Sequence, residues 1–260
     1  MTSIMIDPPP AYKESKSHQG EKGSIFADDE ENLLPDGFLG KNASVAMAQV
    51  SIRMRFMRKV FGILAIQLLF TAVIGAVFIY TPGLKGVVQQ WSWMVMVGMI
   101  LSIVLLIAMY VKRKEVPTNY ILLALWTVCQ SYTVGVVASF FDKDIVIEAF
   151  LLTGCVVAAL FIYALQTRRD FSSCGAGLFA IVWVLVLGGF IQLFLMSPTM
   201  DFVMAIVGAI VFSLFIIYDV QMVMRHLSAE EYILATINLY LDIINLFLHI
   251  LRILQHMRRD

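Results

Sequence analysis

Five polar side chains share one face of the last apolar segment of this 260-residue chain. They follow one another at spacings of four, three, four and three residues between positions 232 and 254: Asn238, Asp242, Asn245, His249 and Arg252. Such spacings place side chains on a single face of an α-helix. A carboxylate at the centre of a membrane-length apolar helix costs about 2.5–3.5 kcal/mol on insertion scales, so it usually faces protein or water. The pattern therefore predicts a buried polar site with a function.

A second carboxylate, Asp219, belongs to the preceding apolar segment. It lies six residues before Arg225, or about 9 Å along a helix, whereas Asp242 lies eleven residues after Glu231, or about 16 Å from the same side. Segments joined by a short loop are antiparallel neighbours, so the two carboxylates can meet if the helices tilt or their ends fray. At low dielectric such a pair cannot fully ionise cheaply and shares a proton. Once deprotonated, it offers oxygen ligands to a hard cation such as Ca²⁺. An interfacial position near Arg225 is the alternative for Asp219.

Three further polar residues extend the face around Asp242. Asn238 and Asn245 flank it by one turn on either side, where they can bond the carboxylate or line a hydrated path. Interhelical hydrogen bonds, worth about 0.6 kcal/mol each on average, are the alternative for both asparagines. His249 can relay protons or make a structural hydrogen bond. We expect no bound cofactor, and at most a transient hard cation such as Ca²⁺ at the two aspartates.

Seven apolar segments carry these side chains, and each is near the roughly 20 residues that a bilayer-spanning helix needs. Hydrophobic residues make up 60% of the chain, charged residues 15%, and mean hydropathy is +0.82. The hydrophobic share is above that of soluble domains and the charged share is below it, and no basic surface suited to nucleic acid is present. We therefore predict an all-α membrane protein. The segments run from about 60–80, 91–111, 118–140, 146–166, 176–196, 202–223 and 232–254.

Basic residues are concentrated on one side of the predicted bundle, with ten on that side and only Lys85 and Lys143 in the loops of the other. The positive-inside rule then predicts a cytosolic N-terminus. The ten residues are Arg53, Arg55, Arg58, Lys59, Lys112, Arg113, Lys114, Arg168, Arg169 and Arg225. The basic tail from Arg252 onwards disagrees with this rule, because seven crossings place it on the lumenal side. We expect segment 7 to cross, and re-entry to the cytosol is the alternative.

The chain divides into a polar, acidic region at 1–50, predicted to be a disordered cytosolic tail, and a transmembrane domain at 51–260. Within the tail, Pro9, Pro10 and Tyr12 fit the PPxY motif, which a WW domain binds in a polyproline II conformation. A WW-domain ubiquitin ligase is thus a predicted partner. An acidic dileucine sorting motif is formed by Asp29, Leu33 and Leu34.

Four sequence motifs resemble the Bax inhibitor or lifeguard (transmembrane BAX inhibitor motif) family. The likeness runs from about 51 to 252 and is greatest for the Golgi anti-apoptotic, or lifeguard-four, branch. The motifs are Arg53-Met54-Arg55-Phe56-Met57-Arg58-Lys59-Val60, Asp170-Phe171-Ser172, Tyr218-Asp219 and Leu239-Tyr240-Leu241-Asp242-Ile243-Ile244-Asn245-Leu246-Phe247.

The resemblance implies a seven-helix fold with segment 7 in the centre and the other six around it. It also implies a pH-sensitive Ca²⁺ leak with Asp219 and Asp242 as a paired-aspartate sensor. In bacterial relatives, a basic residue of the second helix latches to this pair, and Lys112 or Arg113 falls near that position. Residence in endomembranes (endoplasmic reticulum, Golgi, or vacuole and lysosome) and protection against stress-induced cell death are implied as well.

Two other functions remain open from the residues. An intramembrane aspartyl protease would also carry a Tyr-Asp in the sixth segment and an aspartate in the seventh. Its second aspartate needs a Gly-x-Gly-Asp context, whereas Asp242 follows Leu239-Tyr240-Leu241, so we do not expect an enzyme. The other alternative is a membrane scaffold or adaptor that acts through partners recruited by the N-terminal tail.

Overall fold

A computed structural model of the chain describes residues 36–81, 83, 86–87, 90–91, 93–228 and 230–259, with side chains only between Ser51 and Arg258. The predicted tail motifs at Pro9, Pro10, Tyr12, Asp29, Leu33 and Leu34 lie outside these residues. Residues 1–45 form a unit of their own, of which only helical backbone from Asp36 is described. The second unit, Ala46–Asp260, holds the apolar segments.

Seven long α-helices and one 3-10 turn make up the described part, which contains no β-strand. The helices are α1 (Asp36–Tyr80), α2 (Met94–Lys112), α3 (Thr118–Ser139), α4 (Lys143–Gln166), α5 (Gly175–Leu195), α6 (Pro198–Arg225) and α7 (Tyr232–Arg259), and the 3-10 turn is Ser172–Cys174. Each helix, counted from Ser51 in α1, is long and apolar enough to cross a membrane. The predicted all-α class and its seven segments are confirmed.

The turn between α5 and α6 shows how the sequence ends one helix and begins the next. Met196 adopts a left-handed conformation with φ of 47° and closes α5. Ser197 then caps α6 by accepting a hydrogen bond from the backbone N–H of Met200 at 3.5 Å, and Pro198 fills the first helical position. As a result α6 begins four residues before the predicted residue 202.

Helix α7 is the centre of the bundle. In its most apolar stretch, 61% of the residues are buried within the protein, against 44% for α3 and 11% for α2. It packs against α3, α4 and α6, and a hydrogen bond between Thr71 and Tyr240 joins it to α1. Helix α2 packs on α3, and α5 packs on α6. The predicted central position of segment 7 is confirmed.

The length of α7 and the ion pairs at its carboxyl end are compatible with a membrane crossing despite the basic tail. It is one uninterrupted helix of 28 residues, about 42 Å long, which suits crossing and not re-entry. We call the side where α1 and α7 begin the basic side, and the other the opposite side. On the opposite side, Arg258 donates to Glu148 at 2.7 Å, while His256 lies 2.9 Å and Arg252 3.9 Å from carboxylate oxygens of Asp201. Acidic residues near the starts of α4 and α6 thus offset the basic tail.

Candidate functional site

The carboxyl groups of Asp219 on α6 and Asp242 on α7 lie within hydrogen-bonding reach of each other. They are only 8% and 7% exposed. An ionised carboxylate only accepts hydrogen bonds, so a hydrogen bond between the two groups requires a proton on one of them. Among the described residues, no N–H or O–H group donates to the buried Oδ2 of Asp242. The structure thus brings together the two predicted carboxylates, and their role in sensing protons stays a prediction.

Gln221 anchors α6 two residues beyond Asp219. Its side chain is fully buried and bonds twice to the connection between α4 and α5. The amide nitrogen donates to the carbonyl of Arg169 at 2.8 Å, and the amide oxygen accepts from the N–H of Phe171 at 2.9 Å. A buried amide with both ends bonded fixes the helix against this connection, because breaking either bond leaves an unsatisfied polar group.

Tyr218, which directly precedes Asp219, packs closely against α5. A Cβ added to Gly175 would lie 2.7 Å from the Tyr218 hydroxyl oxygen, so only glycine leaves room for this ring. Asp219 is therefore positioned by neighbours on both sides, Tyr218 against α5 and Gln221 against the preceding connection.

Arg53 of α1 caps the carboxyl end of α6. Its guanidinium donates to the backbone carbonyls of Val223 at 3.2 Å, Arg225 at 2.9 Å and Leu227 at 2.6 Å. The last carbonyls of a helix have no partner within the helix and carry partial negative charge, which a cation here stabilises. Arg53 thus fixes the end of the helix that carries Asp219.

Lys59, another cation of α1, contacts aromatic rings at the start of α7. Its ammonium lies 3.3 Å from the centroid of the Tyr232 ring and 5.5 Å from that of Tyr120, a cation–π arrangement across three helices. The Tyr232 hydroxyl accepts a hydrogen bond from Asn119 at 2.9 Å. Both helices of the aspartate pair are therefore held on the basic side by cations of α1.

Buried hydroxyl groups tie the middle of α7 to α1 and α3. The Tyr240 hydroxyl lies 2.8 Å from that of Thr71, which lies 2.9 Å from that of Ser131. The Tyr240 ring packs edge-on against Trp126, with centroids 5.3 Å apart. Because Tyr240 precedes Asp242 by only two residues, these bonds restrict how α7 rotates beside the pair.

The two asparagines of the polar face lie in different surroundings. Asn238 is exposed, although its neighbours in α7 are buried, so the polar face opens outward one turn on the basic side of Asp242. Asn245 is half-buried and donates to the Leu241 carbonyl of its own helix at 2.8 Å. The predicted role of the two asparagines in lining a hydrated path stays a prediction.

His249 lies in a niche of α6. Its ring stacks on Phe212 with centroids 5.5 Å apart, and a Cβ on Gly208 would overlap the ring. Within the described residues, no group bonds to its buried Nδ1. The geometry shows a packed imidazole, and the predicted supporting role of His249 stays untested.

The predicted latch residues contact other partners in this conformation. Lys112 pairs with Glu115 at 2.8 Å, and the Arg113 guanidinium lies 4.8 Å from the centroid of the Tyr110 ring. Their latch to the aspartates stays a prediction. In the described part of the chain, no three His, Cys, Asp or Glu side chains come together as a metal site.

Sequence reasoning missed several residues that position the site. Gln221 and Tyr240 carried a signal, because each is a polar group in an apolar segment two residues from a site aspartate. Arg53 and Lys59 were interpreted as basic charges that set the orientation and as part of a family motif, but not as residues that position the site. Their partners are carbonyls and ring faces of distant helices, which no local pattern marks.

Comparison with known proteins identifies the family of this chain. Residues 53–260 match the profile of the family described as "Inhibitor of apoptosis-promoting Bax1". The chain is 46% identical over 201 residues to the Golgi anti-apoptotic protein of Vaccinia virus (strain Lister), covering 77% of this chain and 85% of the viral protein. It is 44% identical over 199 residues to Protein lifeguard 4 of Mus musculus, covering 76% and 84%. With Bax inhibitor 1 of Schizosaccharomyces pombe it shares 36% identity over 235 residues, covering 90% and 84%. The chain therefore belongs to the anti-apoptotic Bax inhibitor family of membrane proteins.

Proposed function

We propose that this protein is a pH-sensitive Ca²⁺ leak of an endomembrane, with Asp219 and Asp242 as its proton sensor. We propose further that the leak moderates calcium homeostasis and so protects the cell from stress-induced death. The observation that carries the proposal is the buried pair of adjoining carboxyl groups between the central helix and its neighbour. Relatives named as anti-apoptotic proteins support the role in cell death, and membrane-spanning helices with a Golgi relative support the location.

The pair responds to pH because one proton joins two helices. Loss of that proton places two negative charges in contact, and their repulsion is about 4 kcal/mol at 4 Å for an effective dielectric constant of about 20. This repulsion acts to separate α6 from α7 near the pair. Protonation thus controls how closely the two helices pack.

Ca²⁺ is the ion that passes through the proposed leak, and it competes with the proton for the aspartate pair. A Ca²⁺ ion takes 6–8 oxygen ligands, whereas two aspartates supply at most four, so water must complete the shell and residence is brief. Binding requires deprotonated ligands, so rising pH favours Ca²⁺ at the pair and falling pH favours protons. The exposed Asn238, one turn away, offers an amide oxygen on the basic side.

The test is Ca²⁺ flux from liposomes that contain the purified full-length protein and an indicator dye. Asp219→Asn and Asp242→Asn should each change the flux clearly, because they remove carboxylate charge while keeping a hydrogen-bonding side chain of the same size. Asp144→Asn is the matched control, since Asp144 is an exposed aspartate in the first turn of α4. Flux through both pair variants equal to that of the unmodified protein would reject the leak.

A scaffold function is the second candidate, favoured by the PPxY sequence at Pro9, Pro10 and Tyr12. In this function the tail binds a WW-domain ubiquitin ligase, and the membrane domain presents it at a membrane. Cell-survival assays separate the two functions. Protection that is lost with Tyr12→Ala but retained with Asp242→Asn supports the scaffold, and the reverse supports the leak.

A further inference from the structure

An apolar groove of about 430 Å³ lies among α1, α3, α4 and α7. It is formed by the second half of α1 and the first half of α4, so it belongs to the part of the bundle nearer the opposite side. Its floor is the central helix, through Ile243, Ile244 and Phe247. Its volume is within the range of about 300–1,000 Å³ typical of small-molecule sites.

The groove leads from the outer surface of the bundle to its core. At the rim, Leu69 is 67% exposed and Phe150 is 55% exposed. At the floor, Ile243 is 6% and Phe247 8% exposed. Because the helices around it span a membrane, the rim faces the hydrocarbon region, and an occupant enters sideways from the bilayer.

The walls select an apolar occupant. The only side-chain polar atoms among the lining residues are the hydroxyls of Thr71, Thr153 and Tyr80. Thr71 bonds to the carbonyl of its own helix and to other hydroxyls, and Thr153 donates to the Ala149 carbonyl at 2.6 Å. Tyr80 is at the end of α1, where an interfacial tyrosine is common. Water gains too few hydrogen bonds in such a space.

The space is left open by glycines. At Gly75 of α1 and Gly154 of α4, which both line the groove, no heavy atom outside the adjoining residues and local helix backbone lies within 4 Å of where a Cβ would be. An empty gap forfeits the dispersion contacts of its lining, and the surrounding hydrocarbon supplies a flexible chain that restores them.

We propose that this groove binds one acyl chain of a membrane phospholipid, held between α1 and α4 against α7. The acyl chain contacts Ile243 and Ile244, the two residues that follow Asp242. It also covers Thr71, whose hydroxyl bonds to Tyr240 on the other side of Asp242. An occupied groove therefore stiffens α7 beside the aspartate pair. The effect of the lipid on the aspartate pair rests on the proposed function. Binding of the lipid in the groove does not depend on that function.

Photo-crosslinking tests the site with the full-length protein in nanodiscs of phosphatidylcholine. The probe is phosphatidylcholine with a diazirine midway along one acyl chain, and the readout is the mass spectrum of labelled peptides. We expect labels on residues 146–157 and 243–247. Gly154→Leu fills the groove and should lower labelling there about tenfold, the change that corresponds to roughly 1.4 kcal/mol. Gly189→Leu, at an exposed glycine of α5 that also has no heavy atom within 4 Å, should leave labelling unchanged.

Three results would overturn the proposal. One is equal labelling of the groove in Gly154→Leu and the unmodified protein. The second is labelling spread evenly over α2 and α5, and the third is stronger labelling of the groove by a diazirine sterol than by the acyl probe. Gly75→Leu, which fills the groove from α1, repeats the test if Gly154→Leu does not fold. Asp242→Asn should label normally, so a failed leak and a failed lipid site are told apart.

Discussion

The carboxyl groups of Asp219 and Asp242 lie within hydrogen-bonding reach of each other between two membrane-spanning helices, and both are more than nine-tenths buried. A hydrogen bond between them requires a proton shared by the two helices. Around it, the structure fixes each helix separately: Gln221 and Arg53 hold α6, and Tyr240 and Lys59 hold α7. The pair is therefore a titratable contact between two anchored elements.

Truncating Asp242 to alanine should destabilise the protein more than replacing its carboxyl group with an amide. Asp242→Ala leaves Asp219 buried without its partner, which should cost about 1–3 kcal/mol. Asp242→Asn supplies an amide N–H in place of the shared proton and should retain most of the stability. Thermal unfolding in detergent at neutral pH measures the difference. Equal melting temperatures for the two variants would show that the hydrogen bond contributes little.

Arg53→Ala should destabilise the carboxyl end of α6, because three backbone carbonyls lose a charged donor. We expect a loss of about 1–2 kcal/mol, given that such bonds contribute 1.5–3 kcal/mol when buried and less when half-exposed. Arg53→Lys, a point charge without the forked donors, should recover only part of it. Arg55→Ala changes an exposed arginine two residues away and should be nearly neutral. Equal protection of the α6–α7 connection from hydrogen exchange in all three variants would argue against the cap.

Gly208→Ala should displace the His249 ring, because the new methyl group overlaps it. Overpacking of this kind costs about 1–3 kcal/mol. Shortening the histidine as well, in Gly208→Ala with His249→Ala, should make the glycine substitution nearly neutral, and unfolding of the four proteins in the double-mutant cycle measures this coupling. Additive effects would mean that the ring does not occupy the niche.

The two ends of the chain should lie on opposite sides of the membrane, because α7 is one helix that is long and apolar enough to cross it. Small epitope tags at each end, probed by protease in intact and permeabilised vesicles, should differ in accessibility. Arg258→Glu, which places like charge beside Glu148, should lower stability without moving the C-terminal tag. Both tags on one side would contradict the crossing.

The sequence predicted the helices and the aspartate pair because both follow from local patterns. Apolar length marks each span, and the spacing of Asp242 with its flanking polar residues marks one helix face. The start of α6 was misplaced by four residues because Pro198 and Ser197 cap it outside the apolar stretch. The contacts of Arg53 and Lys59 could not be predicted, since they depend on which distant helices α1 meets. The lipid groove was also beyond prediction, because it is a space that four helices leave between them.

The pH profile of Ca²⁺ flux tests the central claim most directly. Liposomes with the full-length protein are measured at a series of pH values, beside liposomes with Asp219→Asn, Asp242→Asn and the control Asp144→Asn. We predict that flux through the unmodified protein and the control follows one pH profile, and that both pair variants follow an altered profile because each keeps only one of the two interacting carboxyl groups. A pH profile that is the same in all four proteins would contradict the proton-sensing pair.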